Sequence, residues 1–197
     1  MNLANKLTIF RIILVPIIVI IPYFNLNGKI CNITITYLII DIIFIIASIT
    51  DKLDGYIARS RNEITTFGKF LDPIADKILV LAAMLILVEI NKIPAWIPII
   101  VIIREFVVSG YRLVAVEKGG KVISANIWGK LKTVTQMISI IIAFIDTNEF
   151  FGFLSNNLQG LELCINIITS VLILFSVIAT IFSGWNYIKD GKDLLKD

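Results

Sequence analysis

The chain has 197 residues, 57% hydrophobic and only 17% charged, with a mean hydropathy of +0.90. A soluble domain carries about a quarter charged residues, so the composition excludes an ordinary water-soluble protein and points to an integral membrane protein. The net charge is +3, histidine is absent, and Cys31 and Cys164 have neither metal-type spacing nor the number a disulfide framework needs, so acid–base or metal chemistry must rest mainly on carboxylates.

Several apolar runs approach the roughly 20 residues that cross a bilayer as a helix. Six helical spans are expected, at 7–22, 33–50, 71–88, 94–111, 131–146 and 162–183. The first, within MNLANKLTIFRIILVPIIVIIPYF, has the basic flank and apolar run of a signal peptide. It lacks a small-x-small cleavage site, and so reads as a retained span. Polar segments follow at 51–70 and 112–130, on the same side if the spans alternate. Of the 18 lysines and arginines, only Lys29 and Lys92 fall in the opposite turns, and the connection at 146–161 has none. Basic residues concentrate on the cytoplasmic side, so both termini are expected there. A single domain over 1–197 is expected, without linker, repeat or low-complexity tract. Pro16, Pro94 and Pro98 suit helix kinks or starts. Trp96, Trp128, Trp185 and Tyr187 read as belt residues at the membrane interface. Asp41, inside the second span, either reaches an interior cavity or pairs with a basic residue.

The segment DKLDGYIARSRNEITTFGKFLDPIAD, 51–76, carries aspartates at 51, 54, 72 and 76. At about 100° per residue, Asp51, Asp54 and Ala58 lie within about 60° of one another on a helix, while Gly68, Asp72 and Asp76 step by four along the next. Four carboxylates converging on one cytoplasmic cavity would repel one another and titrate upward. One or two divalent cations remove that penalty, and an all-oxygen donor set favours Mg²⁺ or Mn²⁺, ions that also hold substrate phosphates. Gly55, Ala58 and Gly68 leave room for a flat group against the backbone, and Arg59 offers a planar fork for phosphate. Pro73 follows Asp72, an order that suits Asp72 to cap the third span. The plainer reading, interfacial charge on a polar loop, accounts for one or two aspartates but not for four at helical spacing beside glycines.

In REFVVSGYRLVAVEKGGKVISANIWGKLKT, Arg104 and Glu105 are charged residues near membrane depth, hence functional candidates. Arg104 and Arg112 share a helical face within about 80°. With Lys121 and Lys130 they make a cationic wall suited to a phosphate-bearing acceptor. Topology and attraction to anionic lipid are the alternative for such residues.

The pattern Asp51-x-x-Asp54-Gly55-x-x-Ala58-Arg59, eight residues, Gly68-x-x-x-Asp72-x-x-x-Asp76 resembles the full signature of the CDP-alcohol phosphotransferase family. The resemblance implies an all-α, six-helix membrane enzyme, its polar active-site cavity on the cytoplasmic side, that transfers a substituted phosphate from a CDP-linked donor to an alcohol and releases CMP. It implies that Asp51, Asp54, Asp72 and Asp76 bind a two-ion metal centre and that Asp76 is also the general base. Asp54, Gly55, Ala58, Arg59 and Gly68 would line the cytidine diphosphate site, and the protein would be a homodimer. Asn5 and Thr8 are placed near the nucleotide, with helix capping or interface polarity as the alternative. NKLTIFRIILVP, GKFLDPIADK and REF..SGYR are similar to the phosphatidylglycerophosphate synthase branch of that family. That similarity implies CDP-diacylglycerol as donor, sn-glycerol 3-phosphate as acceptor, and a multi-pass protein of a bacterial plasma membrane with no nucleic-acid partner. Inositol phosphate, serine or phosphatidylglycerol are the alternative acceptors. An intramembrane prenyltransferase, which would release pyrophosphate, and a divalent-cation transporter, which would place its aspartates deep in opposing spans, are the rivals from other classes.

Overall fold

In apolar surroundings every backbone N–H and C=O must be paired within the chain, and a helix does this segment by segment. The long Ile-, Leu- and Val-rich runs obey that rule throughout. A computed structural model describes residues 3–24, 26, 28–60, 66–117 and 127–190, except for the side chains at 3–4, 52, 54–60, 66–67, 69–70, 116–117 and 190. The helices are α1 (Leu3–Ile20), α2 (Ile35–Ser60), α3 (Thr66–Glu89), α4 (Trp96–Glu117), α5 (Ile127–Ile145), α6 (Gly152–Ser155) and α7 (Gly160–Asp190). Each expected span falls on a different one of the six long helices. Asn5–Phe24, Ile127–Ile145 and Gly160–Lys189 are long and apolar enough to cross a membrane. Their outward faces carry residues such as Ile13, Val134 and Ile181, each half exposed or more, which suit lipid rather than water.

A short hairpin, β1 (Lys29–Ile30) and β2 (Ile33–Thr34), precedes α2 and was not expected from the sequence. Its two turn residues, Cys31 and Asn32, have φ of 50° and 66°. Positive φ at both centres is what a two-residue hairpin turn needs.

The chain forms two compact units, Met1–Lys92 with Ile140–Glu149, and Ile93–Ser139 with Phe150–Asp197. In the first, α1 packs against both α2 and α3, and the two also meet each other. Alanines at 47, 75, 82 and 83 are buried there and let the helices approach closely. In the second, α4 and the small α6 pack against α7.

One sequence expectation needs correction. Asp72 does not cap a helix: α3 begins at Thr66, so Asp72 and Pro73 stand about two turns inside it. Pro73 is therefore past the first turn, where its missing N–H removes one i→i−4 hydrogen bond of the helix. The helix α2 runs past the expected second span to Ser60, so Asp51, Asp54 and Ala58 stand on one helix, as their spacing indicates. Asp41 is 4% exposed, and its Oδ1 has no hydrogen-bond partner among the described residues. Ser48 lies two turns along the same face, also buried, its hydroxyl likewise without a partner there.

The end of α3 is built by a local device. Asn91 takes φ 58°, its N–H bonds Val88 O at 3.0 Å, and Lys92 N–H bonds Leu87 O at 2.8 Å. This double closure of the last carbonyls is a Schellman cap. It aims the Lys92 ammonium at the carbonyl oxygens of Asp146 and Asn148, beyond the end of α5. Burial pushes the Lys92 ammonium below its ordinary pKa, while Asp146 and Glu149 draw it back up. Lys92→Ala is expected to release the turn and to lower stability by about 1–3 kcal/mol, the range for losing hydrogen bonds from a charged donor. Thermal unfolding in detergent checks this.

Candidate active site

Asn5, Thr8 and Arg11 recur every three residues on α1, so they share one side of an otherwise apolar helix. All three are buried, Arg11 completely. A guanidinium shut away from water needs a counter-charge. Arg11 Nη1 finds one in Asp51 Oδ1 of α2, 2.7 Å away. One turn earlier, Thr8 donates its hydroxyl hydrogen to Asp72 Oδ1 of α3 at 2.6 Å. One helix thus holds two aspartates that the sequence separates widely, one on each neighbouring helix. Gly68 is buried and Asp76 half-buried on the same face of α3 as Asp72, and Asp76 Oδ1 is withdrawn from solvent.

α2 carries Asp54, Gly55, Ala58 and Arg59, whose side chains lie outside the described residues. Asp51, Asp72 and Asp76 offer only oxygen donors, partly shielded from water, a set that fits a hard divalent cation. Among the described residues no three carboxylate, thiol or imidazole groups are gathered closely enough to hold a metal unaided. Asp54 is the remaining donor of the expected set.

The basic residues belong to the second unit. Arg104 of α4 is held on three sides. Its Nη1 meets Glu105 Oε1 at 2.9 Å, its Nη2 donates to Ser183 Oγ of α7, and its guanidinium lies 5.8 Å from the Tyr187 ring centroid. Glu105 Oε1 also accepts from the buried Lys132 of α5. Arg112, two turns along α4, is exposed, yet its Nη2 donates to the Tyr187 hydroxyl at 2.9 Å. Two cations, Arg104 and Lys132, therefore meet the Glu105 carboxylate, Arg112 joins them through Tyr187, and the group keeps a net positive charge suited to an anion. Lys130 is exposed on α5, and Lys121 lies outside the described residues.

The profile of the CDP-alcohol phosphatidyltransferases matches residues 1–183. The chain belongs to this family. It is similar to the CDP-diacylglycerol–glycerol-3-phosphate 3-phosphatidyltransferase of Bacillus subtilis (strain 168), 42% identical over 99% of this chain and 97% of the relative. The Haemophilus influenzae protein of that name is 41% identical over 71% of this chain and 73% of its own length. The Rickettsia typhi one is 34% identical over 97% of both.

Two residues of this CDP-alcohol phosphatidyltransferase take places that their sequence context does not announce. Arg11, one of the basic residues on the expected cytoplasmic side, grips Asp51. Its signal was the polar triplet Asn5-x-x-Thr8-x-x-Arg11 on an apolar helix. Tyr187, expected in the interfacial belt, is 2% exposed and lies between two arginines. The small pair Ser183-Gly184, one turn earlier, marked a close approach there.

Proposed function

We propose that the chain transfers the phosphatidyl group of CDP-diacylglycerol to sn-glycerol 3-phosphate, giving phosphatidylglycerol phosphate and CMP. The full-length likeness to the Bacillus subtilis enzyme carries this reading. Asp51, Asp54, Asp72 and Asp76 would hold two divalent ions, Mg²⁺ or Mn²⁺. When bound, such ions neutralise the diphosphate and polarise the attacked phosphorus.

This chain's own residues do the rest. The donor's acyl chains stay in lipid, while Asn5, Gly55, Ala58, Arg59 and Gly68 line its cytidine diphosphate. Thr8 contributes by holding Asp72. Arg104, Arg112, Lys121 and Lys130 bind the acceptor phosphate. Asp76 takes the proton from the terminal hydroxyl of glycerol 3-phosphate. That oxygen bonds to the phosphorus bearing diacylglycerol as the bond to CMP breaks, and CMP leaves with the electron pair. The enzyme works as one catalytic domain over 1–197, a homodimer crossing a bacterial plasma membrane six times, with termini and active site in the cytoplasm.

CMP release from purified protein with CDP-diacylglycerol and Mg²⁺ tests the assignment. Release is expected with glycerol 3-phosphate and not with inositol phosphate or serine. Equal release with serine would discard the role given to the cations. Release of pyrophosphate instead would discard the reaction.

A further inference from the structure

We propose that Tyr187 is the positioning residue of the acceptor-phosphate site, its hydroxyl and ring holding the Arg104 and Arg112 guanidinium groups as one array. The proposal rests on the reading of those two arginines as acceptor ligands, and adds what fixes them in place.

The two arginines are secured unequally. Arg104 is walled in: a Cβ on Gly184 would lie 3.3 Å from its Cγ, and one on Gly129 would lie 3.5 Å from its Nη2. Ser183 and Glu105 take its two terminal nitrogens. Its Nε is buried with no partner among the described residues, so a donor remains unspent. Among the described residues Arg112 has no comparable enclosure. It is exposed, and the Tyr187 hydroxyl is the hydrogen-bond partner the structure gives its guanidinium. Free of that bond, a long side chain samples many rotamers, and ordering it on binding weakens affinity.

Tyr187 also answers the repulsion between two like charges. Both guanidinium carbons lie within about 6 Å of its ring centroid, at 5.8 and 5.6 Å, inside the range where the aromatic quadrupole attracts a cation. The residue is nearly sealed from solvent, so hydroxyl and ring are themselves fixed. One buried side chain on α7 therefore sets the spacing of two cations on α4. A phosphomonoester dianion, with three oxygens to share, is the ligand such a pair selects.

Preorganisation of this kind acts on acceptor binding and not on the donor. The test is steady-state kinetics of the full chain in detergent with CDP-diacylglycerol and Mg²⁺, each substrate varied in turn. Tyr187→Phe keeps the ring and removes only the hydroxyl. It is expected to raise KM for glycerol 3-phosphate about three- to tenfold, with kcat and KM for CDP-diacylglycerol within about twofold of the parent. Arg112→Gln is expected to raise the same KM at least as much, and adding Tyr187→Phe to it should change little, because the two groups act as a unit.

If Arg112→Gln raises KM for glycerol 3-phosphate and Tyr187→Phe does not, the positioning role is overturned and the acceptor site stands. If Arg112→Gln leaves that KM unchanged, the acceptor site itself is wrong and the proposal goes with it. If Tyr187→Phe raises both KM values alike, the tyrosine serves only packing, which also overturns the proposal.

Discussion

Asp76→Asn is expected to reduce CMP release at least about a thousandfold, within the range lost when a general base is removed. The substitution preserves size and leaves the carbonyl oxygen able to accept hydrogen bonds, so the helix should persist. What disappears is the basic oxygen proposed to take the hydroxyl proton, together with one negative donor of the expected ion site. Asp76 stands on the face of α3 that also carries Asp72 and Gly68, with Oδ1 sheltered from water. Rate and unfolding temperature should be measured on the same preparation. Near-parental turnover in folded Asp76→Asn protein would move the proton acceptor elsewhere among the aspartates.

Arg11→Met should act on stability first. It removes a fully buried cation and leaves the Asp51 carboxylate without its partner at 2.7 Å. Breaking a buried pair by deleting one member typically costs roughly 3–5 kcal/mol, and the partial exposure of Asp51 places the expectation at the lower end. A divalent cation would then supply the missing positive charge. The variant should therefore gain more thermal stability from added Mn²⁺ than the parent does. Equal gains, or no loss without Mn²⁺, would show that the pair does not support the carboxylates.

Both expectations turn on contacts of different legibility. The spacing of Asp51, Asp54, Asp72 and Asp76 was readable because helical periodicity is local: residues three and four apart meet whatever the rest of the chain does. The long apolar runs were readable for the same reason, since lipid leaves the backbone few alternatives to a helix. Arg11 with Asp51, Arg112 with Tyr187 and Lys92 with Asp146 were not. Each joins residues far apart in the chain, and no periodicity reports which helix faces which. Tyr187 shows the cost of reading composition alone, because an aromatic near a span's end fits an interfacial belt and a buried clamp equally well. Asp72 shows the same with proline, a common helix starter that here sits inside the helix.

The grip of α1 on its two neighbours also bears on how the protein is made. A nascent chain emerges N-terminus first, so α1 meets the bilayer before either acidic helix exists. Asp51 then arrives beside a cation already in place, and Asp72 beside a waiting hydroxyl. Acidic groups that would resist insertion alone enter against partners. The first three helices can thus settle as a set while the last two long helices are still being synthesised.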